Sequence, residues 1–344
     1  MSQTSFSLDI GSTSIKVLSL KKDGNIFSIE SLGIGPTPEK GLLSENAADL
    51  KIFADSIKQV MQNASIKSQQ VSVSLPESQV YTKIIDMPSL SEKELAAALK
   101  YEMEQYIPLP LDQVRTDWQI LGTNPTTGGQ STSVLIVAAP LGLLKKYEQV
   151  LEMVGITPVV IETEMLSVQR SLFPLTNNPA PGIIVHMGAM STNIAVVKNG
   201  IIAMVFTIDK GGLAITRAIS VDLGIELNQA DSYKKVYGLN KDAFDGKIGK
   251  SLYPILESIT GDIRRATLLY KEKNPNDTIN QIVLSGGTAL LPGIDIYFTN
   301  LLGTQVVLGN CFKIYDIQNV PPEIATESTS FNVVTGLALK SLLQ

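Results

Sequence analysis

The sequence contains very little of the residue types on which several common functional classes depend. Among its 344 residues there is one cysteine, Cys311, and one histidine, His186. A lone cysteine cannot close an internal disulfide, and we expect a reducing, cytoplasmic environment. A single histidine gives poor support to a zinc site or to a Ser-His-acid triad. The chemistry of the chain must therefore rest on other groups.

Positive charge and long apolar runs are also scarce. The formal net charge is -5, so the chain lacks the basic surface that binding a phosphate backbone requires, and we expect no nucleic acid partner. No apolar run approaches the ~20 residues needed to cross a bilayer. The start shows no secretory signal and the end no basic amphipathic tail. We expect no direct membrane insertion, so any membrane association must come through a partner.

The sequence contains one motif that occurs twice. Residues 5–24 read SFSLDIGSTSIKVLSLKKDG, and residues 183–200 read IIVHMGAMSTNIAVVKNG. Both have an apolar strand, a glycine with small hydroxyl residues, a second strand and a turn. The alignment places Asp9 opposite His186, about half the chain length further on. One repeat at half-length predicts two similar domains whose turns converge on a single cleft.

Alternating strand and helix patterns in both halves predict an α/β fold. The segment 86–162 belongs to neither copy of the repeat. A capping box at Ser91 and Glu94 begins a helix there, and this helix must end before Pro108 because proline disfavours the helical conformation of the preceding residue. With helices and strands of its own, the segment predicts a small inserted subdomain.

The first turn suits an anion. Gly11 lets the backbone approach closely, and the amides that follow can form a concave donor set. Asp9 would repel phosphate, so we expect it to hold Mg²⁺ through ordered water. Lys16 can add positive charge if strand alternation does not turn it away. The hydroxyl donors are Ser12, Thr13 and Ser14. The alternative for this segment alone is a solvent-facing β-turn.

Two further features extend the predicted site. The stretch SGGTALLPG at 285–293 joins a strand to a helix, and its pair Gly286 and Gly287 would let a flat base and ribose lie against bare backbone. His186, in an apolar strand, is either a packed, hydrogen-bonded residue or part of the second turn. The amides and hydroxyls of that turn can bind phosphate through Gly188, Ser191 and Thr192.

These motifs resemble those of the actin, Hsp70 and sugar kinase superfamily. LDIGSTSIKVLSL is similar to its phosphate 1 motif, VHMGAMSTNIAVVKNG to phosphate 2, VLSGGTALLPGI to the adenosine motif and NVVTGLALK to the closing connect motif. Within it the chain resembles the PilM family of actin-like type IV pilus assembly proteins, since MPSLSEKELAAALKYEMEQYIPLPLDQV is similar to the start of that family's inserted 1C subdomain. The stretch QADSYKKVYG is similar to one whose acid and lysine line the nucleoside in the FtsA branch.

The resemblance implies an actin-like (ribonuclease H-like) duplicated two-domain fold with an inserted 1C-type subdomain, binding ATP or ADP with Mg²⁺. Asp9 becomes the catalytic and metal-holding residue. The implied subdomains are 1A at 1–85, completed by about 163–180 and 325–344, then 1C at 86–162, 2A at 181–220 and 278–324, and 2B at 221–277. The implied cofactor-binding residues are Gly11, Ser12, Thr13, Ser14, Lys16, His186, Gly188, Ser191, Thr192, Asn193, Gly211, Gly212, Asp231, Lys234, Gly286, Gly287 and Thr288.

The chain departs from the superfamily pattern at one position, because His186 stands where the phosphate 2 motif has an aspartate. A neutral imidazole is a poor partner for Mg²⁺, so hydrolysis should suffer more than binding. The hypothesis is a scaffold at the inner membrane face that docks the N-terminal cytoplasmic peptide of a PilN-like membrane protein between subdomains 1A and 1C, with self-association left open.

Three alternatives remain. The chain could serve a related type II secretion system instead of a pilus, or it could be an FtsA-like, filament-forming cell-division ATPase. A small-molecule kinase of the same fold would need a base aimed at an acceptor hydroxyl. The acids placed for that role are Asp209, Glu162 and Glu164, each of which is also explained as a solvated or helix-capping carboxylate.

Overall fold

The computed structural model describes residues 5–126 and 129–343, so the outermost ends of the predicted subdomain 1A and residues 127–128 of the predicted insertion lie outside it. Thirteen strands are described: β1 Phe6–Ile10, β2 Ser14–Asp23, β3 Ile26–Pro36, β4 Gln70–Leu75, β5 Tyr81–Pro88, β6 Val114–Thr126, β7 Gly129–Pro140, β8 Thr157–Thr163, β9 Gly182–Met187, β10 Thr192–Lys198, β11 Ile201–Ile208, β12 Gln281–Ser285 and β13 Gln305–Leu308.

Twelve α-helices are described in the same part of the chain. They are α1 Ala47–Asn63, α2 Glu92–Tyr106, α3 Leu141–Val154, α4 Glu164–Ser171, α5 Phe173–Thr176, α6 Gly212–Leu223, α7 Leu227–Tyr237, α8 Lys247–Lys273, α9 Ile294–Leu302, α10 Cys311–Ile314, α11 Pro322–Ala325 and α12 Asn332–Lys340.

The duplication predicted from the sequence is present in the sheets. One five-stranded sheet has the order β3-β2-β1-β4-β8, and the other has the order β11-β10-β9-β12-β13. In both, an antiparallel meander of three strands is extended by parallel strands. Each central strand is buried on both faces, which explains its almost continuous apolar sequence. The predicted α/β architecture of two similar lobes is confirmed.

A third sheet, with the order β5-β7-β6, forms the inserted subdomain. Helix α2 starts with the predicted capping box, in which the Ser91 hydroxyl and the Glu94 carboxylate each accept from the other residue's backbone N–H, and it ends before Pro108 as expected. Its apolar face packs on the sheet, so Leu95, Leu99 and Met103 are core residues. The insertion therefore has a hydrophobic core of its own.

The insertion is shorter than the sequence indicated. Helix α3 packs against α1 in the core of the first sheet, through Tyr147, Val150 and Leu151. Strand β8 pairs in parallel with β4 in that same sheet. By strand pairing the inserted sheet ends near Pro140, earlier than the predicted residue 162, because the helix and strand that follow restore the parallel crossover of the first lobe.

Two helices bring the lobes together. Helix α12 packs along α4 and also reaches β1 and β2. The approach is so close at Gly336 that a Cβ there would overlap the carbonyl oxygen of Ser167. Residues of α4 and α12 also join strands of the second sheet in one apolar cluster. Helices α4 and α12 thus connect the two sheets through one apolar cluster.

Candidate functional site

The first turn, between β1 and β2, is closed by one backbone hydrogen bond. The N–H of Gly11 donates to the carbonyl oxygen of Ser14 at 3.0 Å. A Cβ at Gly11 would lie 2.9 Å from that oxygen, so a side chain does not fit. The Thr37 hydroxyl donates to the Gly11 carbonyl at 2.7 Å and fixes the turn from outside. Ser12 and Thr13, at its tip, are exposed.

The second turn, between β9 and β10, repeats this geometry. Here the N–H of Gly188 donates to the carbonyl oxygen of Ser191 at 2.9 Å. A Cβ at Gly188 would lie 3.1 Å from that oxygen. The repeat in the sequence is therefore also a repeat of backbone geometry, with one tight turn per lobe. Such turns can present successive amides to an anion.

Behind the first turn lies a buried ion pair. Asp9 and Lys16 are cross-strand neighbours, and their ammonium-to-carboxylate distance is 3.6 Å. Lys16 also donates to the Ser14 hydroxyl at 2.8 Å. Burial raises the pKa of Asp9, and Lys16 opposes that shift. Strand alternation thus places the Lys16 side chain on the same side of the sheet as Asp9 and does not turn it away.

His186 occupies the position of Asp9 in the second lobe. Its cross-strand neighbour is Asn193, and its Nδ1 lies 3.0 Å from the Ser285 hydroxyl. Burial, helped by the charge of Lys16, lowers the pKa of His186 to about 4, so the ring is neutral at pH 7. Lys16, which belongs to the first lobe, therefore lies close enough to His186 in the second lobe for its charge to act on the imidazole.

Two more segments lie against the second turn. The N–H of Gly212 donates to the Gly188 carbonyl at 3.0 Å, and the Thr288 hydroxyl donates to the same oxygen at 2.8 Å. Gly286 has a φ of +89°, and a Cβ there would overlap the Met187 carbonyl oxygen. Only glycine fits where these two backbone segments cross.

Beside this crossing lies the acid and lysine pair predicted to line a nucleoside. Lys234 donates to Asp231 at 2.6 Å and to the Gly212 carbonyl at 3.2 Å. Burial opposes ionisation of Asp231, but the hydrogen bonds from Lys234 and Lys235 outweigh it and lower the pKa of Asp231 to about 2. Asp231 is thus ionised, and it ties α7 to the start of α6.

The remaining predicted residues divide into two groups. Gly287 is exposed, and Gly211 is buried where a Cβ would lie 2.6 Å from the Ala189 carbonyl oxygen. Thr192 and Asn193 are instead tied up inside the second lobe. The Thr192 hydroxyl donates to the Lys210 carbonyl, and the Asn193 amide oxygen accepts from the Thr207 hydroxyl. Their side chains brace β10 and do not extend the open end of the turn.

Two glutamates meet where β4 ends and α4 begins: the buried Glu77, which was not predicted as a site residue, and the partly buried Glu164, which the sequence offered only as a kinase acid. The N–H of Glu77 donates to a Glu164 carboxylate oxygen, and the N–H of Met165 donates to a Glu77 carboxylate oxygen, both at 3.4 Å. Burial and the charge of Asp9 raise the pKa of Glu164 to about 8. Burial likewise raises the pKa of Glu77. No sequence motif distinguishes these acids, since their proximity comes from the end of β4 meeting the start of α4.

The other acids weighed for kinase chemistry have different surroundings. Glu162 is buried, receives hydrogen bonds from Arg170, Lys340 and Ser167, and is a structural counter-charge. Asp209 is exposed and lies at the edge of a cavity beside β5. Neither arrangement places a free base beside the two turns.

The donor set fits a phosphate-bearing nucleotide better than a directly coordinated metal. The amides at the tips of the two turns, the exposed hydroxyls of Ser12 and Thr13, and Lys16 are anion ligands, and the exposed backbone at Gly287 admits a flat group. Within residues 5–126 and 129–343, no three His, Cys, Asp or Glu side chains cluster as metal ligands. Mg²⁺ held by Asp9 would therefore keep most of its waters. None of the described helices is long and apolar enough to cross a membrane.

Two lobes with the same strand order, each supplying a glycine turn, define an actin-like ATPase fold. The family model "Type IV pilus assembly protein PilM" matches residues 7–342, and the chain belongs to this family. The predicted resemblance is confirmed.

Solved structures with related folds include a PilM-PilN type IV pilus biogenesis complex, with a TM-score of 0.84, 24% identity and 98% of each chain covered. MreB 5 of Spiroplasma citri bound to AMPPNP has a TM-score of 0.55 at 14% identity, covering 100% of this chain and 98% of that one. The cell division protein FtsA of Streptococcus pneumoniae is 21% identical over 96% of this chain and 78% of its own length.

Proposed function

We propose that this chain is a cytoplasmic, nucleotide-binding scaffold of type IV pilus assembly, or of a related type II secretion system, with weak or absent hydrolysis. The observation that carries the proposal is the pair of matching turns at Gly11 and Gly188, of which only the first is backed by an acid. The family membership of residues 7–342 supplies the biological setting.

In this proposal ATP or ADP lies between the turns. The amides that follow Gly11 and Gly188, up to Ser14 and Ser191, hold the phosphates, and Lys16 supplies positive charge beside them. The adenosine lies against Gly286 and Gly287, with Lys234 and Asp231 nearby. Mg²⁺ would be held by Asp9 through water and would neutralise phosphate charge.

Weak hydrolysis is expected because the second turn has a neutral imidazole where the first has a carboxylate. A neutral His186 cannot hold a hydrated cation as a carboxylate would. Phosphate binding depends mainly on backbone donors, which His186 does not change. Binding should therefore survive while transition-state stabilisation is reduced.

The proposed partner is the N-terminal cytoplasmic peptide of a PilN-like inner-membrane protein, which would hold the scaffold at the inner membrane face. A solved complex of the same fold joins PilM to PilN, and that pairing supports the choice of partner. We place the peptide between the first lobe and the inserted sheet. A cavity lined by Glu77, Tyr81 and Tyr106 borders both.

Thermal unfolding and phosphate release test the proposal together. Mg-ATP or Mg-ADP at ~100 times its dissociation constant should stabilise the fold by about 2.7 kcal/mol, and the peptide should add a further shift. Phosphate release should stay near background. ATP-dependent sedimentation would instead favour the FtsA-like, filament-forming alternative, and sugar-dependent ADP release would favour a kinase. No shift with any nucleotide would contradict the proposal.

A further inference from the structure

The cavity where the inserted sheet meets the second lobe has a volume of about 360 Å³. It is bounded by β5 and β11, and each of these is the edge strand of its own sheet. Its floor includes Glu77, from the short 3₁₀ turn after β4. The cavity therefore borders the first lobe, the insertion and the second lobe at once.

Its buried side contains polar atoms whose hydrogen-bonding capacity is unused. Glu77 is 3% exposed, and one of its carboxylate oxygens accepts from the Met165 N–H. Among the described residues, its other oxygen, Oε1, has no hydrogen-bond partner, and the same holds for the hydroxyls of Thr82 and Thr163. Both hydroxyls nevertheless face the Glu77 carboxylate closely enough to lower its pKa by weak hydrogen bonding, so the atoms lack only hydrogen bonds of good geometry. A buried polar atom left unpaired costs about 1–3 kcal/mol, so such a group is a place to look for a ligand.

The charge and the aromatic lining of the cavity indicate what kind of ligand fits. The two acids, Glu77 and Asp209, outnumber the one base, Lys83, which is exposed. Tyr81 and Tyr106 add ring faces, and the Lys83 ammonium already lies 5.3 Å from the centroid of the Tyr106 ring. A cationic group with several N–H donors satisfies the free oxygens and packs on these rings.

We infer that this cavity receives an arginine or lysine side chain of the partner's N-terminal cytoplasmic segment, with Glu77 as the buried counter-charge. This inference rests on the proposed function, which supplies the peptide. Cytoplasmic segments next to a membrane span are rich in Lys and Arg, so a tail that docks here brings the required charge. Because Arg and Lys side chains are long, the peptide backbone can lie along the rim near Asp209 while the charge reaches Glu77.

The test uses two synthetic peptides and three forms of the full-length protein. One peptide has the sequence of the cytoplasmic N-terminal segment of the PilN-like protein from the same organism. The other replaces each Arg by citrulline and each Lys by norleucine. The proteins are the wild type, Glu77→Gln and, as a matched control, Glu104→Gln, which removes the same charge from an exposed site on α2 outside the cavity.

We expect Glu77→Gln to weaken binding of the charged peptide by roughly tenfold or more, as for loss of a charge-assisted hydrogen bond. The neutral peptide should bind wild type and Glu77→Gln equally weakly, and Glu104→Gln should bind the charged peptide like wild type. Unfolding curves establish that Glu77→Gln is folded, and the shift of its melting temperature with Mg-ATP provides a second readout of integrity.

The outcomes test the cation pocket and the assignment of the partner separately. If the wild type binds both peptides equally and Glu77→Gln binds like the wild type, the cation pocket is wrong while the proposed docking of the peptide stands. If the wild type binds neither peptide although Mg-ATP stabilises it, the partner assigned under the proposed function is wrong. Should Glu77→Gln lose nucleotide stabilisation as well, comparing the two peptides on the wild type alone still decides the inference.

Discussion

At the scale of single residues, the two lobes differ most at Asp9 and His186. They occupy equivalent positions near the ends of β1 and β9, and each pairs with a residue near the start of the next strand, Asp9 with Lys16 and His186 with Asn193. Asp9 has a cationic neighbour, whereas His186 is neutral and shares a hydrogen bond with the Ser285 hydroxyl. One substitution at this position therefore changes the charge of the site without altering the turn.

The variant His186→Asp tests the chemical consequence of that difference. In the proposed site a carboxylate at this position would be a second acid beside Mg²⁺, so magnesium-dependent phosphate release should rise by at least about tenfold, which corresponds to about 1.4 kcal/mol of transition-state stabilisation. Phosphate release is measured with Mg²⁺ and with EDTA. His186→Asn, which adds no charge, is the control, and an unchanged rate in His186→Asp would show that the position does not limit hydrolysis.

Glu164 predicts a pH dependence of stability. Its pKa is raised to about 8 from an ordinary value of 4.5, by burial and by the charge of Asp9. Between these two values the folded chain holds a proton that the unfolded chain has lost, so the stability contributed by this group falls as pH rises through that window. Within this window each pH unit lowers the free energy of unfolding by at most about 1.4 kcal/mol through this group.

Glu164→Gln removes this titration. Relative to the wild type, its free energy of unfolding in urea should therefore increase steadily from pH 5 to pH 8. Denaturation curves at four pH values measure the difference. A difference that stays constant over this range would contradict the raised pKa of Glu164.

At the scale of elements, the packing of α12 on α4 depends on a missing side chain. Gly336 lies in the middle of α12, where glycine lowers helix propensity, yet a Cβ there would overlap the Ser167 carbonyl oxygen. Gly261 also lies within a helix, α8, but it is exposed and no atom lies within 4 Å of a Cβ built on it. The two glycines have the same local cost and opposite tertiary surroundings.

Alanine at these two positions should therefore act in opposite directions. Gly336→Ala should destabilise the fold by about 1–3 kcal/mol or more, because two helices must separate to admit the methyl group. Gly261→Ala should stabilise it by about 0.5–1 kcal/mol through helix propensity. Both values come from chemical denaturation, and equal effects at the two sites would mean that the packing of α4 on α12 is not close.

At the scale of the whole molecule, duplication and insertion explain the architecture. Two sheets of the same order supply one turn each, and the helices α4 and α12 contact strands of both sheets. The inserted sheet has a separate core and adds a surface beside the edge strand β11. The proposed function places a nucleotide between the two lobes and a peptide at the added edge.

The sequence by itself determined the features that depend on neighbouring residues. Apolar alternation, the glycine turns and the Ser91 capping box are local signals. The motif around Asp9 recurs around His186, and this repeat indicated the duplication. The family resemblance followed from the same motifs. These predictions were confirmed because turn geometry and strand pairing act over a few residues.

Only the tertiary structure decided which distant residues meet. The contact of Glu77 with Glu164, the buried Glu77 oxygen without a hydrogen bond and the end of the inserted sheet at Pro140 all depend on how β4, α3 and β8 pack. No local pattern encodes these pairings, because burial and the direction of a side chain are set by the whole fold. The pKa of a carboxyl group follows the same rule, since it depends on charges brought close by folding.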